Sequence, residues 1–137
     1  MQVNPYLYFN GNCEEAFSFY EKVLGAKVLV KMKHGDMPSE GKGDPAWADK
    51  IIHARMEVGG GVVMASDAPP QHYQQPQGFS MSIGTKEPAE AEKIFAALSE
   101  GGAVTMQLQE TFWAQRFGMM RDRFGINWMV NCEKPMP

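Results

Sequence analysis

Glu15-Ala16-Phe17-Ser18-Phe19-Tyr20-Glu21-Lys22-Val23-Leu24 is answered later in the chain by Glu90-Ala91-Glu92-Lys93-Ile94-Phe95-Ala96-Ala97-Leu98, with apolar residues at matching places. Each segment follows a short strand-like run, Tyr6-Leu7-Tyr8-Phe9 in one case and Phe79-Ser80-Met81-Ser82-Ile83 in the other. Each ends at glycine, Gly25 or Gly101-Gly102, and re-enters an apolar strand through Ala26-Lys27-Val28 or Ala103-Val104. Self-similarity of this kind marks a strand-helix-strand unit of about sixty residues present twice, each copy too small to bury a good core alone. The two copies are expected to pack together, with a functional cavity between them.

Val3 to Phe9 alternates, Leu7 and Phe9 on one face and Tyr6 and Tyr8 on the other, as a strand between two environments does. Asn12 is placed to cap the first helix, with Glu15 closing a capping box. Ala16, Phe19, Tyr20 and Val23 make its apolar stripe, and Gly25 its stop. A long polar stretch, Lys33 to Asp49, reads as a lid, a partner contact or disorder. Ile51 to Val58 is a strand with Ile52, Ala54, Met56 and Val58 on one face and Ile51, His53, Arg55 and Glu57 on the other. Gly59-Gly60-Gly61 reverses it into Val62 to Ser66. Ala68 to Gln77 is a linker rich in proline and glutamine. The second copy runs from Phe79 through a helix opened by Pro88, a strand from Ala103 to Leu108, an aromatic loop from Glu110 to Gly118, and a last hairpin turning at Asp122-Arg123-Phe124-Gly125. The class is α+β, with βαβββ written twice. Residues 1–137 are read as one domain of two modules, 1–67 and 78–132, joined by the linker 68–77.

The chain is 44% hydrophobic with a net charge of −3, so its surface offers no general attraction to nucleic acid or anionic lipid. No apolar run reaches membrane-spanning length, and the N-terminus lacks the basic-then-apolar layout of a signal peptide. Cys13 and Cys132 are read as two free thiols in a reducing cytosol, with a disulfide as the other reading. The expected location is cytoplasmic. Eleven methionines suit either an adaptable pocket or interface lining, or plain core packing.

The double βαβββ order with Asp-x-x-Gly in the last hairpin resembles the vicinal oxygen chelate superfamily, which holds glyoxalase I, extradiol dioxygenases, and fosfomycin and bleomycin resistance proteins. Tyr6 to Ala16, Ile52-His53-Ala54, Met64-Ala65-Ser66-Asp67, Gln109 to Ala114 and Asp122 to Asn131 narrow the resemblance to the PhnB-like branch. It implies a cupped, barrel-like mixed sheet with helices outside, the glyoxalase/bleomycin resistance/dioxygenase fold. It also implies a homodimer. Members of the branch often carry a demethylubiquinone methyltransferase label, but no glycine-rich strand-to-helix turn of the kind that cradles a nucleoside cofactor is present.

The superfamily's chemistry uses a divalent metal as Lewis acid, held by His, Glu or Gln side chains from the first and last strands of each module. Laid on this chain, the four positions fall at Asn4, Met64, near Gly78, and Met129, none a good ligand for a hard cation. The expectation is therefore no metal and no other cofactor.

The polar residues that remain are weighed one by one. His53 is a cavity base or donor, or a satisfied structural histidine. Arg55 is a partner for a ligand carboxylate or phosphonate, or is ion-paired with Glu57 or another acid. Tyr6 and Tyr8 project toward the expected cavity. His34 and His72 are read as solvated loop residues. Asp67 is read as a turn residue and Cys13 as a small buried residue beside the cap. Glu110 and Trp113 belong to a loop that closes over the cavity or packs in a dimer interface. The expected ligand contacts are Tyr6, Tyr8, His53, Arg55, Met64, Ser66, Glu110, Trp113 and Met129. The leading expectation is a protein that binds a small organic molecule in an apolar and aromatic cavity without a catalytic metal. Two others stand beside it: a metal-dependent lyase, isomerase or dioxygenase of the glyoxalase type using His53, Glu57 or Glu110, and a dimeric interaction protein with no small ligand.

Overall fold

The computed structural model describes residues 1–38 and 45–135. Its elements run β1 (Tyr6–Phe9), α1 (Cys13–Leu24), β2 (Lys27–Lys33), β3 (Ile51–Val58), β4 (Gly61–Asp67), β5 (Met81–Thr85), α2 (Pro88–Ser99), β6 (Ala103–Gln109), β7 (Ala114–Arg121) and β8 (Asn127–Glu133). Short 3₁₀ turns occupy His34–Asp36 and Pro45–Trp47. Two compact units result, Met1–Gln74 and Gln75–Pro137. No helix among the described residues is long and apolar enough to cross a membrane.

Each unit is a four-stranded mixed sheet, in the order β1-β4-β3-β2 and β5-β8-β7-β6. The strands β1 and β5 join their sheets in parallel, and the remaining pairs are antiparallel. The fold class is the one expected, except that the sheets are not closed into a barrel. Part of the long polar stretch, residues 39–44, lies outside the described residues.

In the first unit α1 covers one sheet face. Its buried stripe is Cys13, Ala16, Phe17 and Tyr20, a spacing of three and four residues that keeps them on one side of the helix. Phe17 thus replaces Phe19 and Val23 of the expected stripe, both of which are half-buried. Leu7, Phe9, Ala54, Met56, Val63 and Ala65 complete this core from the sheet. Ile51 joins it too, fully buried, although simple alternation assigns it to the opposite face. The register shift between Met32 and Lys33 in the β2–β3 ladder accounts for this, since a bulge turns the residues beyond it.

The capping box is not formed. Asn12 makes no side-chain cap hydrogen bond, and its Oδ1 is buried without a partner. The cap comes instead from Asp67 at the end of β4, whose Oδ1 accepts from the Cys13 backbone N–H at 2.9 Å while Oδ2 accepts from the Ile51 N–H at 2.8 Å. A carboxylate there also suits the positive end of the helix dipole.

In the second unit α2 packs on β7 and β8 through Ala91, Phe95 and Leu98. Phe95 lies so near Gly118 that a Cβ there would meet its ring at 2.7 Å, which fixes glycine at that place in β7. Strand β5 begins at Met81 rather than Phe79, and β7 already begins at Ala114, which shortens the aromatic loop to Glu110–Trp113. Asp122 is more than a turn residue. Oδ1 accepts from the Phe124 and Ile126 N–H groups at 2.9 and 3.0 Å, and Oδ2 accepts from the Trp128 indole at 2.8 Å.

Asp67→Asn removes one acceptor and sets an amide donor against a buried backbone N–H. We expect it to lower the unfolding free energy by about 2–3 kcal/mol, read from urea unfolding. A change inside roughly 0.5 kcal/mol would show that the clamp is dispensable.

Candidate functional site

The helix-free face of the first sheet gathers six of the expected residues. Ladder pairing sets Tyr6 beside Met64 and Met64 beside Arg55, in one row that continues to Val30. The next row starts with Tyr8 beside Ser66 and ends with His53 beside Met32. The Tyr6 and Tyr8 rings lie 5.1 Å apart, and Tyr6 stacks on His53 at 5.9 Å with 29° between planes. The Tyr6 hydroxyl is 3.4 Å from His53 Nδ1. Alternation in β1 therefore delivers both tyrosines to this face, as expected, and His53 has a partner on it.

Arg55 is half-buried, and its Nε is shielded from water with no hydrogen-bond partner. No ion pair among the described residues includes it, so the expected pairing with Glu57 is not made. Glu57 is exposed and sits across from Lys27 in the ladder.

At the Tyr8 end of the face a cleft of about 400 Å³ opens, lined by Tyr8, Ser66, Asp67, Pro69, His72 and Gln74 among others. His72 is exposed but borders this cleft. The sequence signalled it only as a loop histidine, because β4 and the Pro69 turn bring it there. His34 is not a solvated loop residue. It is half-buried with Nε2 shielded, its ring edge-on to Trp47 at 6.4 Å.

Glu110, Trp113 and Met129 belong to the second unit. Glu110 pairs with Lys134 at 3.2 Å and is largely exposed. Trp113 packs edge-on between Phe112 at 4.8 Å and Phe117 at 5.4 Å, while Phe112 itself is 90% exposed. Met129 pairs with Ser82 on one side and Met119 on the other, and Met119 with Met106. Three methionines thus cross three strands in one row.

The two ladders also locate the metal positions implied by the resemblance. When the repeats are set in register on the last pair before each helix, Phe9 with Asp67 and Thr85 with Cys132, Met64 corresponds to Met129 and Asn4 to Ser80. The third position therefore moves from Gly78 to Ser80. An amide, a hydroxyl and two thioethers do not fit a hard divalent cation, which prefers carboxylate or imidazole. Among the described residues no three His, Cys, Asp or Glu side chains gather as a metal site.

Residues 1–131 match the family model described as 3-demethylubiquinone-9 3-methyltransferase. Protein YjdN of Escherichia coli is 34% identical, covering all of this chain and 99% of its own length. The crystal structure of protein PA1353 from Pseudomonas aeruginosa superposes with a TM-score of 0.89 at 49% identity, over 98% of this chain and 99% of that one. The PhnB protein from Bacillus cereus superposes at 0.81 with 22% identity, over 96% and 99%. Proteins of the glyoxalase/bleomycin resistance/dioxygenase type share the fold at a TM-score of 0.68.

Cys13 is fully buried at the clamp. Burial above all, then the charges of Asp67 and Glu14, push its thiol well above the ordinary value near 9. A thiol held protonated is a poor nucleophile. In the native protein we expect Cys13 to stay unmodified by iodoacetamide at pH 8, and to be alkylated in urea, as read by mass spectrometry. Its raised value also sets a sign: the contribution to stability is complete below about pH 9 and is lost as the unfolded thiol ionises at higher pH.

Proposed function

The chain belongs to the 3-demethylubiquinone-9 3-methyltransferase family, in its PhnB-like branch, and from that premise we propose that it binds a small, partly apolar organic molecule on the open face of its first sheet, without a catalytic metal. The observation that carries this reading is the lining of that face. A sheet face turned away from its helix is ordinarily polar, yet this one bears Tyr6, Tyr8 and Met64 beside Ser66, and it runs into the 400 Å³ cleft at Tyr8. Aromatic rings and methionine supply adaptable apolar contact, and the few polar groups among them give orientation. Met64 and Met129 in the ligand positions favour a metal-free mode over glyoxalase-type chemistry. The methyl transfer named in the family's description has no support in the strand-to-helix turns, Asn10-Gly11-Asn12 and Lys86-Glu87, neither of which is a glycine-rich cradle.

A second part of the proposal is a homodimer. Leu29, Val30 and Met32 on β2 and Val104 and Met106 on β6 are all at least 37% exposed, alongside Phe112 and Trp113, and apolar edge strands of this sort call for cover. The buried free thiols Cys13 and Cys132 fit the proposed cytoplasmic location.

Two measurements test this reading. Metal analysis of the purified protein is expected to find no stoichiometric divalent ion, while native mass spectrometry finds a small organic adduct; a tightly held ion at one per chain overturns the metal-free reading. Light scattering is expected to give about twice the 15.3 kDa chain mass, and a monomer at micromolar concentration removes the dimer.

A further inference from the structure

The groups on the open face of the first sheet are hydrogen-bond donors with little to receive them. Arg55 offers a guanidinium whose Nε is hidden from solvent and unpartnered. A shielded donor of that kind is costly unless something accepts from it. Two residues along β3, on the same face, stands His53. The Tyr6 hydroxyl lies 3.4 Å from His53 Nδ1; in the tautomer in which that hydroxyl donates to Nδ1, the imidazole carries its hydrogen on Nε2 and presents a second donor. The single acid on the β3 side of this face, Glu57, is exposed and lies opposite Lys27, and no carboxylate is ion-paired to Arg55 among the described residues. Beside these donors lie the apolar surfaces of Met64 and Val30 in the Arg55 row, with the Tyr6 ring stacked on the imidazole.

We propose that Arg55, His53 and Tyr6 form an oxyanion subsite that receives the carboxylate or phosphonate head of an otherwise apolar small molecule. The proposal rests on the ligand-binding reading above and names the chemistry of its ligand. A planar guanidinium accepts such a head in a fork of two hydrogen bonds. The imidazole Nε2–H adds a third donor, and Tyr6 holds the ring in the tautomer that makes this possible. Tyr8 and Met64 then flank the ligand's body.

The test uses three probes of one shape: phenylphosphonate, benzoate and the neutral benzamide. Each is titrated into the full-length protein, into Arg55→Gln and into Arg55→Lys, and backbone amide shifts are followed by NMR. The expected result is that at least one anion binds the wild type about tenfold or more tightly than benzamide, with shifts centred on Tyr6, Arg55 and Met64. Arg55→Gln abolishes that preference, bringing the anions to within about twofold of benzamide. Arg55→Lys keeps part of it, because the charge remains while the fork is lost, and this arm decides the matter if circular dichroism shows Arg55→Gln misfolded. Whether phenylphosphonate or benzoate binds more tightly identifies the head group. Anion binding equal in wild type and Arg55→Gln, or benzamide as tight as the anions, overturns the oxyanion subsite and leaves the ligand-binding reading standing. If none of the three probes moves the amides of this face, both fall.

Discussion

The carboxylate of Asp67 ties together three stretches of chain that are far apart in sequence. It stands at the end of β4, across the ladder from Phe9. One oxygen takes the first amide of α1 and the other takes the first amide of β3. Buried backbone donors must find acceptors, and a buried carboxylate must be satisfied to be tolerated. Asp67 meets both demands with one side chain. It thereby fixes where α1 starts relative to β1 and where β3 enters the sheet. Those two placements decide which residues of β1 and β3 face the helix, and hence which ones are left for the open face.

The second unit meets the same demand without a shared carboxylate. In the register given by the ladders, the counterpart of Asp67 is Cys132, fully buried and uncharged. The counterpart of Cys13, as first residue of its helix, is Pro88. Proline has no N–H to satisfy and starts a helix without penalty. That removes one of the clamp's two donors; the other's counterpart, the first amide of β7 at Ala114, is taken by Thr111 Oγ1 at 3.0 Å. The clamp and its omission are two consistent answers within one duplicated scaffold, and the second unit spends its buried aspartate, Asp122, on the last hairpin and the Trp128 indole instead.

This contrast marks what could be read in the sequence. The helices, the Gly59-Gly60 hairpin, the doubling of βαβββ, and the tyrosines on one face of β1 follow from local period and turn chemistry, and all were legible. The capping of α1 was not, because its acceptor lies more than fifty residues away while Asn12 beside it has the right side chain and does not use it. Ile51 reached the core through a bulge that period-two counting does not register. The start of β5 was misplaced by two residues, since Phe79 has strand character but remains outside the ladder. Alternation is enough to set the candidate residues of β1, β3 and β4 on one face. The ion pair of Glu110 was not legible, because its cation, Lys134, follows the last strand, nor was the place of His72, because only the folded loop sets it at the cleft.

The duplication also makes the open faces comparable position by position, and there they diverge. Arg55 pairs with Met64 as Met119 pairs with Met129, and Tyr6 with Met64 as Ser82 with Met129. The methionine is kept in both copies while its neighbours are not: arginine and tyrosine in the first unit stand where methionine and serine stand in the second. His53, two residues before Arg55, likewise has Phe117 as its counterpart two residues before Met119. If these side chains served only to cover a sheet, a guanidinium with a shielded, unpartnered Nε would be a poor choice, and the second unit shows that the scaffold accepts methionine there. The retention of methionine accounts for apolar contact. In the proposed subsite the guanidinium and imidazole, which the second unit replaces with Met119 and Phe117, are the groups that take the anionic head.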